Sequence, residues 1–195
     1  MNAKVELRQR MREAVQRLSQ AERAAASAQA GALLRRQTVW QEARAILFYA
    51  PIDGEMNLIP LLEEALAAGR TVALPGFVPA TATYGAFVIA DWRRDCRPGK
   101  FGVLEPAPSC AAWPLNRLDL ALVPGLAFDL SGQRLGRGRG FFDRLLARSG
   151  GVKCGVAFDS QIVARVPAEA HDVRMNFILT QTNWLAVPKA VLPQP

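Results

Sequence analysis

The chain has 195 residues, and its balance of 50% hydrophobic and 21% charged residues is typical of a soluble globular protein. Its three cysteines are scattered without a CxxC pair, which argues against a disulfide framework. No apolar stretch approaches the roughly 20 residues that span a bilayer, so we expect a cytoplasmic protein without membrane contacts. The net charge of +7 favours an anionic partner: nucleic acid, a membrane surface or a polyanionic small molecule.

Two helices are predicted at the start of the chain. Over residues 4–18 an apolar stripe recurs at helical spacing, made of Leu7, Met11, Val15 and Leu18. Lys4 and Arg8 fall on another face, where they either form a solvated surface or reach a triphosphate. Ser19 and Glu22 have the spacing of a capping box, which predicts a second helix to about Arg36.

The rest of the chain alternates between short apolar runs and helical patterns. Strands are predicted at 45–49, 71–74, 87–90, 118–123, 152–158 and 177–180, with helices at 57–68 and 140–148. Pro75-Gly76 is expected to end a strand, and the Gly- and Pro-rich residues 97–114 to form a loop. Continuous apolar strands separated by helices indicate an α/β fold whose sheet is largely parallel and covered on both faces. We expect one domain over residues 1–187 and an irregular tail over 188–195.

A glycine-rich segment carries the main chemical signal. Gly136, Gly138 and Gly140 alternate with Arg137 and Arg139, after a predicted strand and before a predicted helix. Glycines allow backbone N–H groups to approach an anion closely, and arginines bind phosphate oxygens with two hydrogen bonds. The N-terminal amides of the following helix would add to such a cradle.

Asp143 lies in the first turn of that helix, where a carboxylate could hold Mg²⁺ against the same phosphates. The segment lacks the Gly-Lys-Ser/Thr ending of a Walker loop and the spacing of a dinucleotide fingerprint. Two other interpretations remain open, a surface hairpin and an RNA-binding Arg/Gly stretch.

Two other carboxylates are candidate site residues. Glu55 follows the first predicted strand, and ligands of open α/β sheets bind at such strand ends. It could accept hydrogen bonds from an amino-substituted ring, or be a solvated residue at the start of a helix. Asp172 precedes the final predicted strand, where it is either a second metal ligand or a capped loop residue. We find no nucleophile elbow that would make His171 part of a triad.

Taken together, these motifs resemble the 5-formyltetrahydrofolate cyclo-ligases, also called methenyltetrahydrofolate synthetases. The resemblance covers nearly the whole chain in the same order. The segments that carry it are Lys4–Arg8 (Lys-x-x-Leu-Arg), Tyr49–Asn57, Leu74-Pro75, Gly102–Pro106 (Gly-x-x-Glu-Pro), Leu122–Asp129 and Gly132–Asp143. Phe141-Phe142 departs from the family, which usually has Tyr-Tyr or Tyr-Phe before the metal-binding Asp, and Asn176 stands where an acidic residue is common.

The resemblance implies a three-layer α/β/α sandwich with a mainly parallel sheet, and a set of site residues. The residues implied to bind ATP are Lys4, Val5, Glu6, Leu7, Arg8, Arg134, Leu135, Gly136, Arg137, Gly138, Arg139, Gly140, Phe141 and Phe142. Those implied to bind the folate are Glu55, Arg137 and Gly138. Arg137 is also the implied catalytic residue, and Asp143 and Asp172 are the implied Mg²⁺ ligands.

The implied reaction converts 5-formyltetrahydrofolate and ATP to 5,10-methenyltetrahydrofolate, ADP and phosphate, with Mg²⁺ as the cofactor. We expect a monomer that acts on these small molecules, the folate carrying a polyglutamate tail in the cell, and that binds no nucleic acid. A paralogous ATP-using α/β enzyme with another substrate is the main alternative, and an Arg/Gly nucleic-acid-binding protein is the second.

Overall fold

A computed structural model describes residues 3–99 and 102–188. The five α-helices of these residues are α1 Ala3–Gln16, α2 Gln20–Arg35, α3 Thr38–Glu42, α4 Ile59–Ala67 and α5 Phe141–Leu146. The twelve strands are β1 Ala45–Leu47, β2 Thr71–Val78, β3 Thr83–Ile89, β4 Cys96–Pro98, β5 Leu104–Pro106, β6 Ala112–Trp113, β7 Leu120–Pro124, β8 Ala127–Phe128, β9 Arg134–Leu135, β10 Val152–Val156, β11 Phe177–Leu179 and β12 Trp184–Ala186.

Eight strands form one sheet in the order β12-β11-β10-β7-β1-β2-β3-β6. The five central strands from β11 to β2 are mutually parallel, whereas β12, β3 and β6 are antiparallel to their neighbours. Two short hairpins, β4–β5 and β8–β9, lie outside this sheet. The mainly parallel sheet predicted from the sequence is therefore confirmed.

Both faces of the sheet are covered, because alternate residues of each strand enter different hydrophobic cores. Ile46 packs with residues of α2 and α4 on one face. Its neighbour Leu47 packs with Leu145 and Leu146 of α5 on the other face. A strand buried on both sides needs a continuous apolar run, which explains the composition of β1 and β7.

The N-terminal helices follow their predicted patterns. In α1, Leu7, Met11 and Val15 are buried, as their spacing predicted. Ser19 caps α2: its side chain accepts a hydrogen bond from the Glu22 N–H, and the Glu22 carboxylate accepts one from the Ser19 N–H. The capping box is thereby confirmed.

Three predictions about strands were wrong. The strand β2 continues through Pro75-Gly76 to Val78, because beyond Ala73 it pairs only with β3, and a proline is tolerated where a strand lacks a neighbour on one side. The predicted loop 97–114 contains the hairpin β4–β5 and the edge strand β6. The strand at 177–179 is not the last, since β12 pairs antiparallel with it.

Within residues 3–99 and 102–188, no helix is long and apolar enough to cross a membrane. Of the predicted C-terminal tail, residues 189–195 lie outside the described residues.

Candidate active site

A cleft of about 340 Å³ opens at the carboxyl ends of β1 and β7. Ligands of open α/β sheets bind at these ends, because the loops that follow parallel strands converge there. The lining residues come from four places: the segment after β1, Pro75 of β2 with the end of β7, the hairpin β4–β5 with Tyr84, and residues 134–145, which include the glycine-rich segment and α5. They are Tyr49, Ala50, Ile52, Glu55, Pro75, Tyr84, Val103, Leu104, Glu105, Pro124, Gly125, Arg134, Gly136, Arg137, Arg139, Gly140, Phe141, Phe142, Asp143 and Leu145.

The glycine loop, residues 136–140, forms one wall of the cleft between β9 and α5. Gly138 has a φ of +108°, a backbone conformation that side-chain-bearing residues rarely adopt, so the sharp course of the loop depends on glycine there. The following helix α5 is shorter than the predicted 140–148 and spans six residues. The groups of this wall that are suited to an anion are therefore the loop backbone and its arginines.

Arg137 and Glu55 meet across the cleft. The Arg137 guanidinium donates hydrogen bonds from Nε (3.1 Å) and Nη2 (3.0 Å) to Oε1 of Glu55. The other carboxylate oxygen, Oε2, accepts a hydrogen bond from the Ile52 N–H. Burial raises the pKa of Glu55, and the nearby Arg137 cation acts in the opposite direction. The structure therefore joins the predicted folate-binding carboxylate to the predicted catalytic arginine.

Arg134 is a buried member of the cleft wall. Its guanidinium donates hydrogen bonds to the Pro124 carbonyl (3.2 Å) and to Oδ1 of Asp143 (2.9 Å). The exposed fractions of the two side chains are 4% for Arg134 and 13% for Asp143, so this is a largely desolvated ion pair. Arg134 fixes the position of Asp143, and both side chains remain part of the cleft lining.

The predicted nucleotide segment of α1 reaches the glycine loop through one residue. Arg8 Nε donates a hydrogen bond to the Gly136 carbonyl (3.0 Å), and the Arg8 guanidinium lies beside Gly138. Val5 and Glu6 are exposed, whereas Leu7 packs in a hydrophobic cluster with Leu135. None of residues 4–8 lines the cleft itself.

Asp172 has a different partner from Asp143. Lys4 Nζ forms ion pairs with Asp172 (3.0 Å) and Glu169 (2.9 Å). Burial alone would raise the pKa of Asp172, but the hydrogen bond from Lys4 and the Glu169 N–H outweigh it and lower that pKa. Asp172 is not among the cleft-lining residues. The structure thus places Asp143 in the cleft lining, whereas Asp172 is outside that lining and is tied to α1 by Lys4.

Tyr84 and Glu105 are among the cleft residues that were not predicted as site residues from the sequence. Tyr84 in β3 donates a hydrogen bond from its hydroxyl to Oε1 of Glu105 (3.0 Å) in β5. Glu105 belongs to the Gly-x-x-Glu-Pro landmark, which was the available signal, but that landmark does not reveal a partner 21 residues earlier. The Tyr84 ring also packs against Phe141, with ring centroids 4.9 Å apart.

Comparison with known proteins gives one family. The model of the 5-formyltetrahydrofolate cyclo-ligase family matches residues 1–181. A 5-formyltetrahydrofolate cyclo-ligase of Mycolicibacterium smegmatis is 37% identical over 145 residues, which cover 70% of this chain and 73% of that protein. The Escherichia coli enzyme of the same name is 32% identical over 145 residues, or 72% of this chain and 80% of that protein.

Solved structures agree with these sequence matches. The NMR structure of Aquifex aeolicus 5,10-methenyltetrahydrofolate synthetase superposes with a TM-score of 0.87 at 30% identity, covering 100% of this chain and 97% of that one. A 5,10-methenyltetrahydrofolate synthetase from Mycoplasma pneumoniae has a TM-score of 0.74 at 21% identity, over 92% and 99% of the two chains. At 21% identity, the comparison with the Mycoplasma pneumoniae protein shows that the two chains share a fold.

Proposed function

Because the chain belongs to the 5-formyltetrahydrofolate cyclo-ligase family, we propose that its cleft binds ATP and 5-formyltetrahydrofolate together and closes the folate ring through a phosphorylated formyl group. The observation that carries this proposal is the contact between Arg137 and Glu55. It supports the proposal because the glycine loop, whose arginines suit phosphate, and the Glu55 carboxylate, which suits hydrogen-bond donors of the folate, line a single cleft.

The reaction needs activation because a formyl oxygen is a poor leaving group. In the proposed first step, the γ-phosphoryl group leaves ADP and bonds to the formyl oxygen. The N10 nitrogen of the folate then attacks the formyl carbon, the C–O bond to phosphate breaks, and the N10 proton is lost. Phosphoryl transfer depends on positioning and on neutralising charge more than on a protein nucleophile.

The glycine loop supplies the groups that such a transfer requires. Arg137 is proposed to leave Glu55 when a triphosphate arrives and to stabilise the charge that develops on the transferred phosphoryl group. Backbone N–H groups of the loop, with Arg139 and Arg134, complete the phosphate site. The contact of Arg8 with Gly136 supports a role for α1 in shaping the nucleotide side of this loop. Glu55 and the loop residues Arg137 and Gly138 are proposed to contact the folate.

The donor set suits Mg²⁺ carried by the nucleotide. In the described part of the chain, no cluster of three or more His, Cys, Asp or Glu side chains could hold a metal alone. Mg²⁺ in nucleotide sites commonly uses one or two carboxylates together with phosphate oxygens and water, so Asp143 in the cleft fits it. When bound, Mg²⁺ would neutralise phosphate charge. Asp172 would join it only after releasing Lys4.

The decisive experiment mixes the purified chain with 5-formyltetrahydrofolate, Mg²⁺ and ATP, and follows the near-ultraviolet absorbance of the methenyl product. We expect a signal that requires all of these components. An absence of ATP-dependent product at saturating folate would favour a paralogue with another substrate. RNA affinity that falls steeply with salt, without nucleotide binding, would support the alternative of an Arg/Gly nucleic-acid-binding protein. We further propose that the chain acts as a cytoplasmic monomer.

A further inference from the structure

The proposed reaction leaves one carboxylate of the cleft without a role. Glu105 lies in the hairpin β4–β5 and lines the same cleft as Glu55 and Asp143. Unlike those two, it is not paired with an arginine among the hydrogen bonds of the described residues: its partners are neutral groups. A carboxylate placed in a ligand cleft with neutral partners is suited to accept hydrogen bonds from a neutral ligand.

The position of the Glu105 side chain is fixed from three directions. Its Oε2 accepts a hydrogen bond from the Phe77 N–H (2.9 Å), and its Oε1 accepts one from the Tyr84 hydroxyl (3.0 Å). Gly99 lies against its other side, where a Cβ would come within 2.5 Å of the Glu105 Cδ. Each carboxylate oxygen has more than one lone pair, so both keep the capacity to accept another hydrogen bond.

The Tyr84 hydroxyl stays protonated, so its hydrogen bond to Glu105 is kept. Burial first, and then the hydrogen bond with Glu105, raises the pKa of Tyr84 to about 12, so its hydroxyl stays a donor to the carboxylate near neutral pH. Its ring packs between Phe77, at 5.6 Å, and Phe141, at 4.9 Å. Pro75, Val103 and Leu104 add apolar surface to the same part of the lining. A flat heterocycle could therefore pack beside the carboxylate.

We propose that Glu105, positioned by Tyr84, binds the pyrimidinone edge of the folate's pterin ring, an assignment that rests on the proposed function. That edge presents two adjacent donors, the N3–H and the 2-amino group, which match the two oxygens of one carboxylate. Adenine places the acceptor N1 beside its 6-amino group, so a carboxylate facing that edge would meet a lone pair. The chemistry of Glu105 thus selects the pterin over the base of ATP.

The assignment also separates the roles of the two glutamates. Glu55 is tied to the arginine of the glycine loop, so it lies where the reacting groups meet phosphate. Glu105 is instead bonded to the backbone of β2 and to Tyr84 of β3, which are neutral groups. Tyr84 acts through Glu105 and is therefore a positioning residue.

The first test is a steady-state comparison of Glu105→Gln with wild type. The variant is expected to raise the KM for 5-formyltetrahydrofolate about tenfold or more, since a charged hydrogen-bond acceptor is lost, while the KM for ATP stays within about twofold. Glu64→Gln, which alters an exposed ion pair with Arg35, is the matched control and should match wild type. An unchanged folate KM, or equal changes in both constants with a lowered Tm, would overturn the assignment.

The second test measures folate binding without ATP, so it does not depend on catalysis. Wild type should bind 5-formyltetrahydrofolate about tenfold or more tightly than its 2-desamino analogue, and Glu105→Gln should largely lose that preference. Tyr84→Phe, which keeps the ring, should show an intermediate preference. Equal discrimination in wild type and Glu105→Gln would overturn the proposal even if wild type is active. An inactive wild type that still discriminates through Glu105 would contradict the proposed function alone.

Discussion

Arg137 and Glu55, 82 residues apart in the sequence, share an ion pair in which two guanidinium nitrogens bind one carboxylate oxygen. The two side chains differ in exposure, 41% for Arg137 and 11% for Glu55. The arginine can therefore turn towards solvent or a phosphate, whereas the glutamate is fixed by the chain around Ile52. Under the proposed function, phosphate binding by Arg137 would leave Glu55 available to the folate, and this exchange would couple the nucleotide and folate sites.

Replacing Arg137 with Ala should reduce turnover much more than stability. We expect kcat to fall about 100-fold or more, because a group that stabilises developing phosphoryl charge is removed. The Tm should change by no more than about 3 °C, since the Arg137 side chain is 41% exposed and Glu55, whose pKa is already raised by burial, can take up a proton once the cation is gone. Arg148→Ala, an exposed arginine outside the cleft lining, serves as the control. Parallel loss of Tm and kcat in Arg137→Ala would show that this arginine is structural.

Replacing Arg137 with Met should raise the pKa of Glu55 further. Burial already raises that pKa, and the Arg137 cation is the largest effect that lowers it. Removing the cation while keeping an aliphatic side chain leaves burial unopposed, so the carboxyl group should stay protonated to higher pH. A ¹³C NMR titration of glutamate carboxyls, assigned with Glu55→Gln, would measure the change. An unchanged or lower pKa would show that the ion pair does not persist in solution.

Replacing Arg134 with Met, unlike replacing Arg137, should cause a large loss of stability. The guanidinium is buried and bonded to both Pro124 and Asp143, so its removal leaves an uncompensated carboxylate that is largely desolvated. Breaking such a pair costs about 3 kcal/mol or more of the free energy of unfolding. Urea denaturation of this variant and of Arg137→Met would measure the contrast. Similar stability of the two variants would contradict the buried role of Arg134.

The sequence predicted those parts of the site that lie within one contiguous segment. The alternation of glycine and arginine over 136–140 predicted a loop followed by a helix, and the spacing placed Asp143 in the first turn of that helix. The apolar runs predicted the central strands for the same reason, since a strand buried on both faces cannot carry polar residues.

Contacts between distant segments and very short elements could not be read in this way. The bond from Tyr84 to Glu105 depends on how the hairpin β4–β5 packs on β2, which no local pattern encodes. The strand β12 has three residues, too few for a period, and is held by its pairing with β11 and the stacking of Trp184 on Phe177. Likewise, the spacing of Lys4 predicted a position on α1 and not its ion pair with Asp172.

Asp143 and Asp172 should differ in their effect on the metal requirement. Asp143→Asn is expected to raise the Mg²⁺ concentration for half-maximal activity about tenfold or more, because it removes a carboxylate from the cleft. Asp172→Asn should have a smaller effect, since Asp172 lies outside the lining and is paired with Lys4. Asp53→Asn changes a carboxylate that is 90% exposed and serves as the control. A larger effect at Asp172 would place the metal nearer to α1.

The ion pair of Lys4 with Asp172 should make the free energy of unfolding depend on pH in the acid range. The pKa of Asp172 is lowered by Lys4 and by the Glu169 N–H in spite of burial, so the folded state favours the charged carboxylate. Its contribution is then complete above the ordinary value of 3.8 and is lost as the pH falls through the lowered pKa. The free energy of unfolding of wild type should therefore exceed that of Asp172→Asn by a constant amount above about pH 5, and the difference should shrink below about pH 4. Urea titrations across this range would measure it, and a difference independent of pH would mean that the ion pair does not tether α1.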